Sequence, residues 1–118
     1  TGSVRGRKFG GMEIKQYQII LVNLDPTIGH EIKKTRPCLV ISPDEINRNL
    51  ATIVIAPITS SSKPYPTRIE IQQSQTIGWI VLDQIRTIDK RRVLQKFGDL
   101  KAPIIRKVKM ALKETYVD

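Results

Sequence analysis

Short runs of β-forming apolar residues, each closed within a few positions by turn formers, fill the chain from Tyr17 to Phe97 and leave room for nothing longer than a brief helix before the C-terminal end. The run Tyr17 to Val22 stops at Asn23, Leu24, Asp25 and Pro26. A polar loop carrying Lys33 and Lys34 then leads to the run Cys38 to Ile41, which stops at Ser42 and Pro43. Ser42 to Leu50 is turn or short-helix material, and the β-branched run Thr52 to Ile55 is expected to be buried on both faces. After a loop from Ser60 to Pro66, Ile69 and Ile71 alternate with Arg68, Glu70 and Gln72, the pattern of a half-exposed strand. Trp79 to Ile88 reads as one strand, with Trp79, Val81, Asp83 and Ile85 on one face and Ile80, Leu82, Gln84 and Arg86 on the other. A short run from Val93 to Phe97 follows the basic turn Asp89 to Arg92. Pro103 then suits the first position of a helix in which Ile104, Ile105, Val108, Leu112 and Tyr116 recur at helical spacing and the lysines face outward.

Five or more such strands followed by one amphipathic helix predict a mainly β fold, a small, strongly bent antiparallel barrel with short helices and a C-terminal α-helix. A length of 118 residues suits one domain with one modest core. Residues 1–11 are Gly-rich, precede Met12 and read as an expression-tag remnant, with a native basic arm that contacts nucleic acid as the alternative, so the expected domain is 12–118. No apolar run approaches the roughly 20 residues that span a bilayer, and the N-terminus lacks the apolar core of a secretory signal, so the expected location is cytoplasmic. Cys38, the single cysteine, lies inside an apolar run and is expected to be a buried, inert thiol.

The net charge of +9 points to a polyanionic partner, because clustered Lys and Arg release counterions from a phosphate backbone. Setting aside Arg5, Arg7 and Lys8 of the first eleven residues leaves 17 basic and 11 acidic side chains, still +6. One histidine and one cysteine cannot furnish the usual nitrogen and sulfur ligands of a zinc site, which disfavours metal catalysis, although composition leaves carboxylate-held magnesium open; no metal and no cofactor is the expectation. The sequence also lacks HExxH, a Walker-type glycine loop and GxSxG. RNA cleavage needs none of these. The ribose 2′-hydroxyl attacks the adjacent phosphorus when a protein orients it and stabilises the developing charge. An arginine, a threonine and a proton-transfer partner suffice, and Pro37 holds Arg36 in an extended conformation at a loop-to-strand junction.

Four segments in order, LDPTIGHE, TRPCLVISP, IAPITSSSKPYP and DQIRTIDK, resemble the successive motifs of the MazF, PemK and Kid toxins over about Tyr17 to Asp118. The resemblance implies a dimeric SH3-like barrel of the kind shared with CcdB. It also implies an endoribonuclease that cuts single-stranded RNA without metal, leaving 2′,3′-cyclic phosphate and 5′-hydroxyl ends, and that is held in check by a cognate antitoxin of the MazE or PemI kind. Arg36 is similar to the family's essential arginine and Thr59 to its essential threonine. Glu31 resembles the glutamate of a GxE motif, and His30 and Asp83 resemble residues of the PemK and Kid branch. Where Kid has an arginine two positions before the aspartate of its DQ motif, this chain has Val81, so that arginine's role does not transfer.

Guanidinium stays protonated at any ordinary pH, so Arg36 is read as a charge stabiliser, with Thr59 donating to the same phosphate and His30 or Asp83 moving the proton. Asp83 reads equally as a structural carboxylate, and Glu31 as a residue that positions Arg36. Lys33, Lys34, Thr35, Ser60, Tyr65 and Arg86 are the expected RNA contacts. Trp79 is read as core or dimer packing, with base stacking left open. Two other readings remain at this point, a CcdB-like protein that binds DNA gyrase and a silent RNA-binding barrel.

Overall fold

A computed structural model of the chain describes residues 13–24, 35–73 and 76–117, with the side chains of residues 73 and 76 left out. The strands in chain order are β1 (Gln18–Asn23), β2 (Thr35–Val40), β3 (Thr52–Thr59), β4 (Arg68–Gln73), β5 (Thr76–Val81), β6 (Arg86–Asp89) and β7 (Val93–Asp99). Helix α1 spans Asp44–Asn49 and α2 spans Ala102–Leu112. All strand pairs are antiparallel, and the sheet runs β4-β5-β3-β2-β1-β7 with β6 beside β3. The mainly β barrel-like sheet with a C-terminal helix is the architecture expected from the spacing of the apolar runs.

Strand β3 is the hinge of this arrangement. One edge pairs with β2, from Val40 opposite Ile55 to Cys38 opposite Pro57. The other edge is shared: Thr52 to Ile55 pair with β6, whereas Ile58 and Thr59 pair with β5. The stretch from Trp79 to Ile88 is therefore not one strand, as its alternation suggested. A 3-10 turn at Leu82–Gln84 interrupts it, and the register against β3 slips across that turn. Looping residues out of an edge bends the strand. Here it leaves Asp83 and Gln84 exposed while Leu82 stays buried. Asp83 does not share a strand face with Trp79.

Both faces of the central strands are covered, which explains apolar runs with little polar alternation. On one face Ile19, Leu39, Ala56, Ile58, Ile71 and Ile80 pack beneath Val108 and Ala111 of α2. On the other, Ile20, Val22, Cys38, Val40, Ile53, Ile55 and Ile88 fill the inside of the curl. Burial of each such side chain contributes about 1.5–3 kcal/mol. The expected two-face burial of Thr52 to Ile55 needs correcting. Ile53 and Ile55 are buried but Thr52 and Val54 only partly so, and the opposite face closes farther along, at Ala56 and Ile58.

Helix α1 is anchored by a buried polar pair. Asn47 Nδ2 donates to the Ser42 carbonyl at 2.9 Å, and Ser42 Oγ, which donates to Asn47 Oδ1, accepts from the Val54 amide at 3.1 Å. Helix α2 carries Pro in its first turn and keeps Lys107 and Lys109 exposed, as its pattern predicts. Tyr116 departs from the apolar stripe: its ring is exposed and only its hydroxyl is anchored, donating to the Leu82 carbonyl at 2.7 Å. Among the described residues no helix is long and apolar enough to cross a membrane.

Candidate active site

Side chains alternate between the two faces of a strand, so the residues that follow the inner core toward one end can be read from the pairing. Cys38 and Val40 of β2 point into the inner core, and Arg36 is the next side chain on that face, opposite Val22. Ile53 and Ile55 of β3 do the same, and Pro57 and Thr59 continue their face. The paired register of β2 and β3 ends at Cys38–Pro57; carried two steps further it would set Arg36 across from Thr59 on that face. Arg86 of β6, opposite Ile55, shares the face as well. Arg36 and Arg86 are exposed and Thr59 is half-buried, so the apolar interior ends in two guanidinium groups and a hydroxyl.

The thiol beneath them reports the same arrangement. Cys38 is fully buried, and loss of solvent pushes its pKa up to about 12, against the opposing pull of the positive charges of Arg36 and Arg86. Both guanidiniums therefore act on one sulfur. The Cys38 thiol donates only to the Arg36 carbonyl, at 3.6 Å, and it is the inert core thiol that the sequence suggested.

Thr59 is held from its far side. Its Oγ1 donates to the Ser61 carbonyl at a long 3.3 Å, a weak bond readily exchanged for a better acceptor. Its main chain packs against β5 so closely that a Cβ on Gly78 would be driven into the Thr59 carbonyl oxygen. Glycine is required there by close approach.

Asp83 belongs to a separate network that shapes the loop after Thr59. Its Oδ1 accepts from Arg68 Nε and from Thr67 Oγ1, both at 3.0 Å, and its Oδ2 accepts from Arg68 Nη2 at 3.3 Å. Arg68 Nη1 donates to Ser62 Oγ at 2.7 Å, and the same guanidinium lies 5.4 Å from the centroid of the Tyr65 ring. The hydrogen bond from Arg68 holds the Asp83 carboxyl below its ordinary range, with Thr67 adding to the effect. A carboxylate so engaged is a poor proton acceptor near neutrality. Arg86 stands apart from this network on β6, Ser60 and Tyr65 are exposed in the loop, and Thr35 is exposed at the start of β2. His30, Glu31, Lys33 and Lys34 lie outside the described residues, as do residues 1–11.

Residues 15–116 match the family model described as PemK-like, MazF-like toxin of type II toxin-antitoxin system. The chain belongs to this toxin family. Among curated relatives, endoribonuclease EndoA of Bacillus subtilis is 36% identical over 109 residues, covering 86% of this chain and 93% of that protein. Endoribonuclease PemK of Escherichia coli is 34% identical over 84 residues, covering 67% of this chain and 63% of its own length. Among solved structures, MazF of Deinococcus radiodurans superposes with a TM-score of 0.75 at 24% identity, covering 91% of this chain and 99% of that one. A MazE–MazF complex of the same organism gives 0.74 at 25% identity, covering 87% and 95%.

Within this PemK-like, MazF-like chain, sequence reasoning left two residues without a specific role. Arg68 reads only as a polar position in the alternation of a half-exposed strand, and nothing local distinguishes it. Its partner Asp83 lies on a turn whose position depends on the β3 register. Gly78 carries a weak signal, a glycine inside a strand pattern, which marks a bulge or a close backbone approach.

Proposed function

We propose that this chain is a toxin endoribonuclease that cleaves single-stranded RNA by transesterification at the lip formed by Arg36 and Thr59. Membership of a family whose curated relatives are named endoribonucleases supports RNA cleavage. The observation that carries the choice of residues is the β2–β3 register, whose continuation sets Arg36 opposite Thr59 on one face. Arg36 forks onto the non-bridging oxygens of the scissile phosphate, and Thr59 Oγ1 exchanges its long bond to Ser61 for a donation to the same group. Arg86 adds a second positive charge on that face. The 2′-oxygen gives up its proton and bonds to phosphorus, the bond to O5′ breaks, and O5′ takes up a proton, leaving a 2′,3′-cyclic phosphate and a 5′-hydroxyl.

Proton transfer is assigned to His30, the single imidazole of the chain, because Asp83 is already committed to Arg68 and Thr67. Asp83 then keeps the loop bearing Ser60 and Tyr65 in place, Glu31 positions Arg36, and Lys33, Lys34 and Thr35 contact the backbone. The chain acts as a homodimer in the cytoplasm, as one domain from residue 12 onward, with an antitoxin covering the basic lip. The solved toxin–antitoxin complexes of relatives support that last assignment.

The test is incubation of the protein with a long unstructured RNA in excess EDTA, beside Arg36→Ala and Thr59→Ala, with mapping of product ends. Cleavage at one short motif with 5′-hydroxyl ends, slowed on the order of 10²-fold or more in each variant, is expected. Cleavage that needs added metal, or that survives Arg36→Ala undiminished, overturns the mechanism. No cleavage of varied RNAs favours a gyrase-binding toxin or a silent module.

A further inference from the structure

Trp79 is the only tryptophan of the chain, and it is half-buried without packing into either core cluster. Its neighbours on β5 behave otherwise: Ile80 is fully buried under α2. Strand pairing gives the reason. Trp79 lies directly opposite Thr59 on β3 and opposite Glu70 on β4, so it stands on the Thr59 face and not on the face that α2 covers. A row of side chains crosses the sheet on this face in the order Glu70, Trp79, Thr59 and, by continuation of the β2–β3 register, Arg36.

The row is polarised. Its Arg36 end attracts a phosphate, and its Glu70 end, exposed and acidic, repels one. A nucleotide laid along it has one favourable orientation, with phosphate at Arg36 and Thr59 and base toward Trp79, one strand spacing or roughly 4.8 Å away. An indole has the largest aromatic face among the side chains, and stacking on it needs no hydrogen-bond match.

We propose that Trp79 is a substrate-binding residue on which a base of single-stranded RNA next to the scissile phosphate stacks. This rests on the ribonuclease reading of Arg36 and Thr59 and extends it to a base subsite. A second copy of the chain lying over the indole is the competing occupant. The charge gradient along the row, from Arg36 to Glu70, favours a nucleotide.

A single tryptophan makes the test direct. The probe is a short RNA containing the motif cut by the wild-type protein, with a 2′-deoxy residue at the scissile position so that it binds without reacting. Titration is expected to quench the fluorescence of Trp79 in step with binding followed by anisotropy. The same oligomer with an abasic residue beside the scissile phosphate is expected to bind more weakly and to leave the fluorescence unchanged. Trp79→Leu is expected to raise KM about 5- to 30-fold with kcat changed less than about threefold, and Trp79→Phe to recover most of the loss. Binding and cleavage with no quenching, or a Trp79→Leu protein with wild-type KM, overturns the base subsite and leaves the ribonuclease reading standing. A fluorescence change that follows protein dilution and ignores RNA overturns it in favour of a second copy. A wild-type protein that neither binds nor cuts RNA overturns both readings. The wild-type titration stands even if Trp79→Leu fails to fold.

Discussion

Gly78→Ala perturbs the wall behind Thr59 by a single methyl group. The added Cβ would meet the Thr59 carbonyl oxygen and carbon and approach Ile58 Cγ2 at 3.3 Å, two of the three being backbone atoms that cannot swing aside. Strand β5 must therefore move off the end of β3, where Ile58–Ile80 and Thr59–Trp79 are paired. Overpacking of this kind costs about 1–3 kcal/mol. In a domain of this size that corresponds to a fall in Tm of roughly 5–20 °C. A displacement approaching 1 Å at Thr59 would also lower the cleavage rate by up to on the order of 10²-fold. The assay pairs thermal unfolding with single-turnover cleavage at a temperature where every variant is folded. Gly98→Ala is the control, since its Cβ has no neighbour within 4 Å and its cost comes from a backbone φ of 127°. It is expected to lower Tm while leaving the rate per folded molecule unchanged. Gly78→Ala with wild-type Tm and rate would refute the close approach. Equal loss of rate in both variants would show that activity simply follows stability.

Two further outcomes follow from the titrating groups. Asp83 has a depressed pKa in the folded chain, so its ion pair stabilises the fold above the unfolded carboxylate value of about 3.9 and loses that contribution as pH falls through the lower folded value. Asp83→Asn should therefore melt below the wild type at pH 7, with the gap closing in acid; a gap that widens in acid would contradict the pairing with Arg68. Cys38, with its thiol pushed up to about 12 and no exposed surface, should react with a thiol reagent at pH 8 only as fast as the chain opens. Rapid labelling of the folded protein, as followed by absorbance, would show that the lip is open down to the sulfur.

The family was legible in the sequence alone. The Arg-Pro pair, the threonine before the serine cluster and the basic turn stood out as motifs in order, and family membership bears out the resemblance they carried. What escaped was partnership. Asp83 reads as a strand residue beside Trp79 because alternation continues through it, yet three residues are looped out at Leu82–Gln84 and its partners become Arg68 and Thr67.

The sequence by itself determined most of the strand segments and the region where the one long described helix begins, though not the break at Leu82–Gln84, because those features depend on side-chain period and on residues such as Pro103 that act within a few positions. Only the tertiary structure decided that Arg36, Thr59 and Arg86 continue the strand faces that carry Cys38 and Ile55, and that Trp79 stands opposite Thr59 rather than on the face that α2 covers. Register is set by which edges meet and by burial on both faces of β3 at once. No local signal carries that information, because a one-residue slip would send every side chain of a strand to the opposite face.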